Sequence, residues 1–222
     1  AKKERIRASR VNGTRLLSEC LAGLEQPPSV SICASAVGYY GSRPTEQVNE
    51  ESGPGEGFLA DVAVQWEAAC TPAAEAGIRV VNTRFGVIVD RDDPLITRQL
   101  PMAKVGLGGR VGNGKQHISW VAIDDVVGAI LHSLDTPGLS GPINVTSPNP
   151  VTNREFARAL SAAVGRPALG WMPGPIAKLV FGEMGRELIL TDQNVRPMRI
   201  LESGYQFIHP GLESALRAAL GS

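Results

Sequence analysis

Two apolar, charge-poor runs in the sequence are separated by a segment with helical periodicity. The first run extends from Ser29 to Val37 and the second from Ile78 to Val89. Between them, apolar side chains recur every fourth residue, as they do along one face of a helix: Phe58, Val62, Trp66 and Cys70. Such runs are typical of strands covered by helices on both faces, so the sequence predicts a β-α-β unit with parallel strands. We expect the first strand to be central in its sheet and the second to end near Thr83.

Further helices and strands continue this alternation. An amphipathic helix is predicted from Val11 to Leu24, ahead of the first strand, and Asn113-Gly114 predicts the turn of a hairpin. Caps and apolar periodicity predict the remaining elements: a helix capped by Asp124 or Asp125, a strand from Pro142 to Ser147, a helix that begins with the capping box Thr152-x-x-Glu155, and helices from Pro173 to Leu190 and from Leu212 to Leu220. Together they predict an α/β protein with a mainly parallel sheet.

Composition argues against several classes of protein. The 222 residues carry 22 basic and 22 acidic side chains, so no net charge draws the chain to nucleic acid or to an anionic membrane. No apolar run is long enough for a membrane helix, and the opening AKKERIRASR lacks the apolar core of a signal peptide. The cysteines are widely spaced and the histidines scattered, which predicts neither a disulfide framework nor a metal site. We expect Cys20, Cys33 and Cys70 to be buried thiols of a cytoplasmic protein.

Several short motifs occur in a particular order along nearly the whole chain. They are Ser9-Arg10-Val11-Asn12-Gly13-Thr14, Ser35 to Gly41 (SAVGYYG), Phe58 to Glu67, Gly106 to Gln116, and a tail from Gly182 to Phe207. In this order they resemble the extended short-chain dehydrogenase/reductases. The resemblance is closer to an atypical subfamily of NAD(P)-dependent epimerases and oxidoreductases, some of whose members carry a cell-division-inhibitor label.

The resemblance implies an α/β fold with an incomplete Rossmann-type parallel sheet and a smaller α+β lobe that binds substrate. Residues 1–93 and 119–147 correspond to the nucleotide-binding domain, and residues 94–118 and 148–222 to the substrate-binding lobe. The sheet is expected to be incomplete because family members begin with a strand and a glycine-rich turn that holds the dinucleotide pyrophosphate. The glycine-rich stretch at residues 106–114 lacks the G-x-G-x-x-G spacing and follows a predicted helix, so it does not supply that turn.

Ser35 and Tyr39 are the candidate catalytic residues. Ser35 ends a predicted parallel strand, where α/β sheets bind ligands, and in the resemblance it takes the place of the active-site Ser or Thr. The alternative is a small residue that satisfies backbone groups at the strand end. A phenol acts as an acid or base near neutral pH only beside a cation that lowers its pKa, and no cation adjoins Tyr39 in the sequence. The family's usual Tyr-x-x-x-Lys pair is absent, because Leu59 and Ala63 stand at those positions.

Candidate binding residues come from three other segments. Arg84, Phe85 and Gly86 end the second strand at the same sheet edge, and the resemblance places this loop beside the nicotinamide. A turn glycine with a surface arginine is the alternative. Arg10 is the candidate for a cofactor phosphate, with a solvated helix face as the alternative. The candidate substrate contacts are Tyr40, Asn113 and Gln116.

These features support two hypotheses of different classes. The first is an oxidoreductase or epimerase that uses NADP, or alternatively NAD, on a carbonyl or hydroxyl compound, with nucleotide sugars as one candidate class. In it, electrostatic positioning replaces the missing Tyr/Lys pair. The second is a non-catalytic NADP(H)-binding sensor or partner-binding protein. A small-molecule substrate is expected in the first case, and a homodimer is a candidate assembly.

Overall fold

A computed structural model describes residues 2–176 and 191–221. Its helices are α1 (Lys2–Ala22), α2 (Phe58–Ala68), α3 (Thr71–Glu75), α4 (Pro94–Lys104), α5 (Ile123–Asp135), α6 (Asn153–Ala163), α7 (Met198–Glu202) and α8 (Leu212–Leu220), with a short 3-10 helix over Val37–Tyr40. Its strands are β1 (Val30–Ala36), β2 (Gln47–Val48), β3 (Arg79–Phe85), β4 (Val87–Val89), β5 (Gly109–Val111), β6 (His117–Ile118), β7 (Trp120–Ala122), β8 (Gly141–Val145), β9 (Val151–Thr152), β10 (Gly170–Met172) and β11 (Asn194–Val195). Beyond Ile176, the predicted helix from Pro173 to Leu190 lies outside the described residues.

Among the described residues, a parallel sheet of three strands, in the order β1-β3-β8, is the base of the fold. The predicted β-α-β unit is therefore confirmed, but the central strand of these three is β3 and not β1. Within this part of the chain β1 hydrogen-bonds to β3 on one side only, so this apolar run lies at a sheet edge. The second strand extends past the predicted end at Thr83 to Phe85, because β3 keeps pairing with β8 up to Val145.

Strand β7 separates two hydrophobic cores. Side chains alternate between the two faces of a strand, so Trp120 and Ala122 lie in one core while Val121 lies in the other. The first core joins β7 to α4, α6 and α8 through buried Ile96, Phe156, Leu160 and Leu216. The second core lies on the three-stranded sheet and contains Val81, Ile143, Val145 and Ile200. The capping box of α6 is formed as predicted, since the Thr152 side chain accepts from the Glu155 backbone N–H and the Glu155 carboxylate accepts from the Thr152 N–H.

The hairpin predicted at Asn113-Gly114 is wrong. A tight turn is present, with the Gly114 N–H donating to the Val111 carbonyl at 3.1 Å, but the strands beside it diverge. Strand β5 pairs in parallel with β10, and β6 pairs antiparallel with β9. Side chains occupy the backbone groups that a hairpin would use: Asn153 Oδ1 accepts from the Val111 N–H, and Gln116 Nε2 donates to the Val111 carbonyl.

The prediction that Asp124 or Asp125 caps a helix is also wrong. Helix α5 begins at Ile123 after Ala122, and no side chain caps it. The completely buried Asp125 carboxylate instead accepts hydrogen bonds from the Tyr205 hydroxyl at 3.0 Å and from the backbone N–H groups of Ile208 and His209 at 2.7 and 2.9 Å. Asp125 therefore fastens the segment before α8 to the sheet domain.

The cysteines are all unbridged, but they differ in exposure. Cys70 is buried and Cys33 is half-buried, whereas Cys20 is exposed, which corrects the expectation of three buried thiols. None of the described helices has the length and apolar character needed to cross a membrane. Among residues 2–176 and 191–221, no three His, Cys, Asp or Glu side chains are grouped as metal ligands would be.

We predict that Asp125→Asn lowers the free energy of unfolding by about 2–4 kcal/mol, because the amide presents N–H groups to the N–H donors of Ile208 and His209. Asp124→Asn is the matched control. Its side chain is 57% exposed, and its contact with His209 is a surface pair, so a loss below about 1 kcal/mol is expected. Urea denaturation of the two variants measures both values, and equal losses would contradict the assigned role of Asp125.

Candidate active site

Three polar side chains lie side by side at the carboxyl ends of the parallel strands. In the register of the sheet, Ser35 is opposite Arg84, and Arg84 is opposite Asn144. All three residues are buried, at 3%, 2% and 0% of their full exposure. Because residues in register on adjacent strands point to the same face, the sheet itself assembles this polar row.

Glu67 of α2 holds the Arg84 guanidinium at two points. Arg84 Nε donates to Glu67 Oε1 and Nη2 donates to Oε2, each at 2.7 Å, and the Ser35 hydroxyl donates to Oε1 at 2.7 Å. A two-point arginine–carboxylate pair fixes orientation as well as distance. Burial acts to lower the pKa of Arg84, but its hydrogen bonds to Glu67 and Tyr40 and the negative charge of Glu67 raise it above its usual value. The guanidinium therefore keeps its charge inside the protein.

Tyr40 continues this network. Its hydroxyl accepts from Arg84 Nη1 at 2.9 Å and donates to Asn144 Oδ1 at 2.8 Å. Burial raises the pKa of Tyr40 to about 12, so the phenol is protonated at neutral pH. Tyr40 is a predicted substrate contact, yet it has no exposed surface, so its observed role is to connect the Arg84 guanidinium to β8.

Asn144 extends the network to the C-terminal segment. Its Nδ2 donates to the Arg196 carbonyl at 2.9 Å, and its backbone N–H donates to Glu50 Oε1 at 2.9 Å. The Glu50 carboxylate also accepts from the backbone N–H groups of Met198 and Arg199. Burial raises the pKa of Glu50 above its usual value, against the effect of these hydrogen bonds. The polar row thus fixes the position of the chain that leads into α7.

Tyr39 stacks on the same guanidinium but keeps its hydroxyl available. The Arg84 Cζ atom lies 3.5 Å from the centroid of the Tyr39 ring, which is a close cation–π contact. The Tyr39 side chain is half-buried, and no group in the part of the chain that the structure describes hydrogen-bonds to its hydroxyl. Arg84 is therefore the nearby cation that the sequence around Tyr39 does not contain.

The segment predicted to contact the cofactor, Arg84 to Gly86, is packed against protein. Arg84 is occupied by Glu67 and Tyr40, and Phe85 packs against the sheet core. A Cβ atom added to Gly86 would lie 2.6 Å from the Ser119 carbonyl oxygen. The close backbone of Ser119 is by itself sufficient to exclude any larger side chain at this position.

The other predicted site residues lie apart from the polar row. Arg10 is exposed on α1, with its guanidinium 5.2 Å from the Trp66 ring centroid. Asn113 is exposed and its Oδ1 accepts from the Lys115 N–H at 2.9 Å. Gln116 is 8% exposed and is used to hold β5.

Two members of the network, Glu67 and Asn144, were not identified as site residues from the sequence. Each has a recognisable signal in retrospect. Glu67 is a carboxylate near the end of helix α2, next to the apolar Trp66 and Ala68, and Asn144 interrupts an apolar strand. Polar groups buried in such elements need a partner, which neither segment supplies locally.

The polar row lies at the edge of the sheet where α/β proteins bind nucleotides. Nucleotides bind α/β sheets at the carboxyl ends of the strands, where Tyr39 presents its available hydroxyl. A pyrophosphate is held elsewhere in such folds, by a glycine-rich turn whose G-x-G-x-x-G spacing does not occur in these 222 residues. The turn that binds the pyrophosphate is therefore not among these residues, and the polar row with Tyr39 is a candidate site for the nicotinamide end of such a cofactor.

A parallel sheet with helical crossovers and a polar site at the carboxyl ends of its strands defines an α/β protein of the Rossmann type. The comparisons with known proteins narrow this class. Residues 172–219 match a family model described as a domain of unknown function, DUF1731. The epimerase family protein Mb2239 of Mycobacterium bovis is 40% identical over 214 residues, which are 96% of this chain and 70% of the relative. The human epimerase family protein SDR39U1 is 33% identical over 216 residues, which are 97% of this chain and 73% of the relative. The chain belongs to this epimerase family.

Solved structures agree with this assignment. The crystal structure of human SDR39U1 (isoform 2) with NADPH superposes with a TM-score of 0.93 and 32% identity, covering 99% of this chain and 75% of the human chain. A nucleoside-diphosphate sugar epimerase from Corynebacterium glutamicum superposes with a TM-score of 0.80 and 35% identity, covering 99% of this chain and 43% of the other. The predicted family and fold class are thereby confirmed.

We predict that Gly86→Ala lowers the free energy of unfolding by about 1–3 kcal/mol, because the new methyl group meets the Ser119 carbonyl. Gly13→Ala is the matched control. Gly13 is exposed within α1, with no atom within 4 Å of an added Cβ, so alanine should stabilise the protein by about 0.5–1 kcal/mol. Thermal and urea unfolding measure both changes. A Gly86→Ala variant with an unchanged free energy of unfolding would exclude the close contact.

We also predict that Tyr40→Phe costs about 1–3 kcal/mol at pH 8, because Asn144 Oδ1 and Arg84 Nη1 each lose a buried partner. The raised pKa of Tyr40, about 12, means that its favourable contribution is complete below the usual tyrosine value near 10 and is lost as pH rises toward 12. The difference in unfolding free energy between wild type and Tyr40→Phe should therefore narrow from pH 10 to pH 12. A difference that stays constant over that window would contradict the prediction.

Proposed function

We propose that this chain carries the reacting site of an NADP(H)-dependent epimerase or oxidoreductase that acts on a carbonyl or hydroxyl compound, with nucleotide sugars as the leading substrate class. One observation carries the proposal: the Tyr39 ring is stacked on the buried Arg84 cation, whose position Glu67 fixes, while the Tyr39 hydroxyl is available. Family membership supports it as well, since the relatives are named epimerase family proteins and one similar structure is a nucleoside-diphosphate sugar epimerase.

In this proposal Tyr39 holds the reacting oxygen of the substrate. Its hydroxyl donates a hydrogen bond to that oxygen, and the Arg84 charge stabilises the negative charge that develops there. The pair takes over the work of the missing Tyr-x-x-x-Lys arrangement. Ser35, through its hydrogen bond to Glu67, holds the carboxylate that orients Arg84, and this is the role we assign it in the catalytic set. Asn113 and Gln116 lie on the loop between β5 and β6 and are proposed to approach the distal part of the substrate.

The cofactor assignment rests on the human relative. That protein was solved with NADPH, so we propose NADP(H) here, with the nicotinamide accepting or supplying hydride when bound. Arg10 is the proposed contact for a cofactor phosphate, and the main chain from Arg84 to Gly86 is the proposed wall beside the nicotinamide. NAD stays the alternative, because the residue that distinguishes the two cofactors follows the glycine-rich turn in such folds.

The proposed division is into a nucleotide-binding part, residues 1–93 and 119–147, and a substrate-binding lobe, residues 94–118 and 148–222. Most residues of the sheet core belong to the first part and most residues of the core around Phe156 belong to the second, although each core includes residues of both. The three unbridged cysteines support a reducing, cytoplasmic location. A homodimer is also proposed, and gel filtration of the full-length protein distinguishes it from a monomer.

A second function, NADP(H) binding without turnover, is favoured by a specific observation. The Ser35 hydroxyl donates to Glu67 Oε1 at 2.7 Å and the residue is 3% exposed, so the residue that usually activates substrate in this fold is committed to the protein. A sensor or partner-binding protein would keep the cofactor site and lack the reaction.

The decisive experiment compares Tyr39→Phe with wild type in the full-length protein. Phenylalanine keeps the ring on Arg84 and removes only the hydroxyl. We expect NADPH affinity, followed by nucleotide fluorescence, to change less than about threefold, and turnover of UDP-glucose and other nucleotide sugars to fall by about 10²–10⁴. Tyr205→Phe is the control, because its hydroxyl bonds to Asp125 outside the site.

Three outcomes separate the two functions. Turnover lost in Tyr39→Phe and kept in Tyr205→Phe supports the enzyme. Turnover unaffected by Tyr39→Phe refutes the assigned role of the hydroxyl, and Ser35→Ala then tests whether the serine acts directly. NADPH binding with no turnover by wild type over a broad panel of carbonyl compounds and nucleotide sugars favours the sensor.

A further inference from the structure

Two pairs of side chains lie between β1 and the end of α2, one pair two residues before the other along β1. The first pair is Ser35 and Glu67, whose oxygens are 2.7 Å apart. The second pair is Cys33 and Cys70. Cys33 precedes Ser35 by two residues on β1 and therefore points to the same face, and Cys70 follows Glu67 by one turn, with its N–H donating to the Glu67 carbonyl at 3.1 Å.

The two thiols lie on facing sides of the contact between β1 and the end of α2, and they have different surroundings. Cys33 Sγ lies 3.9 Å from Thr14 Oγ1 on α1, and Cys70 Sγ donates to Asn82 Oδ1 at 3.5 Å. Asn82 is the residue opposite Cys33 in the sheet, so both sulfurs are placed by the same position of β3.

These contacts divide the roles of nucleophile and partner. Cys33 is half-buried whereas Cys70 is buried, so the Cys33 sulfur is the more accessible of the two. The neighbouring Cys70 thiol also lowers the pKa of Cys33 to about 7, against the effect of burial. Both features make Cys33 the nucleophile of the pair.

Small molecules can reach this pair. Cys33 is half-buried, and a groove of about 360 Å³ borders Cys70, Glu67 and Asn82. The third cysteine, Cys20, is exposed on α1, and its thiol has no hydrogen-bond partner among the described residues.

We infer that Cys33 and Cys70 form a redox-active dithiol, which a hydroperoxide converts to a disulfide between β1 and the end of α2. The site does not depend on the proposed function. Its consequence does involve that site, because a covalent link one level below Ser35 and Glu67 pulls α2 toward β1 and disturbs the carboxylate that orients Arg84.

The chemistry balances with hydrogen peroxide as the oxidant. The Cys33 thiolate attacks one peroxide oxygen, so an S–O bond forms, the O–O bond breaks, and the hydroxide released takes a proton to become water. The Cys70 sulfur then attacks the Cys33 sulfenic acid. An S–S bond forms, the S–O bond breaks, and the departing hydroxide takes the Cys70 proton to become a second water. In total, two thiols lose two electrons and two protons, and the peroxide is reduced to two waters.

Mass spectrometry of the full-length protein tests the inference. The protein is treated with hydrogen peroxide, its remaining thiols are alkylated, and it is digested without reduction. We expect a Cys33–Cys70 cross-linked peptide that disappears after dithiothreitol treatment. Cys20→Ser should give the same cross-link at the same rate, because Cys20 takes no part.

Single variants assign the two roles. Cys70→Ser should leave Cys33 as a sulfenic acid that dimedone labels, whereas Cys33→Ser should leave Cys70 at least tenfold less reactive toward peroxide. Cys33→Ala and Cys70→Ala, checked for folding by circular dichroism, replace a serine variant that does not fold. Oxidation of Cys20 before Cys33, or a cross-link that includes Cys20, would overturn the inference, as would the absence of any cross-link in folded wild type. Because none of these measurements requires turnover, failure here is distinct from failure of the proposed epimerase activity.

Discussion

The ion pair between Arg84 and Glu67 is the interaction on which the rest of the site depends. A guanidinium that is 2% exposed is stable only if its donors are satisfied, and here a carboxylate takes two of them and a phenol takes a third. The need for hydrogen-bond partners extends from Arg84 to the residues around it. Tyr40 must stay protonated and buried to serve both Arg84 and Asn144, and Asn144 in turn fixes the backbone near Arg196. One buried charge therefore sets the positions of β1, α2, β3, β8 and the chain before α7.

The same charge organises the chemistry available at the surface. Tyr39 and Tyr40 are neighbours in sequence and both contact Arg84, yet they have opposite environments. The buried tyrosine completes the network, and the half-buried one retains its hydroxyl. A lysine on the adjacent helix, which is the usual source of charge in this fold, would have been visible as a sequence motif. An arginine delivered from the next strand is brought close only by the pairing of β1 with β3.

Local signals predicted most of the elements, and contacts distant in sequence account for the errors. The charge-poor runs of β1 and β3, the helical repeat of α2 and the capping box of α6 depend on neighbouring residues, and the structure contains all of them. The failures each involve a distant partner. Asp125 has the position of a capping residue, but its carboxylate oxygens accept hydrogen bonds from Tyr205, Ile208 and His209 instead. The Asn113-Gly114 turn forms, but Asn153 and Gln116 occupy the backbone of Val111, so no hairpin follows. At the candidate site, Ser35 and Tyr39 were predicted from the strand end, whereas Asn144 became apparent only from the strand register and Glu67 only from its contact with Arg84.

The open side of β1 has a consequence for how the chain behaves in solution. Backbone N–H and C=O groups that point away from β3 have no partner strand among the described residues, so they bond to water or to any extended segment that arrives. A strand added there would complete the layer next to Ser35 and would have its alignment set by the residues of β1. Where no strand is added, the unpaired backbone groups of β1 can pair with the same strand of a second copy. High protein concentration therefore favours association through the edge of β1.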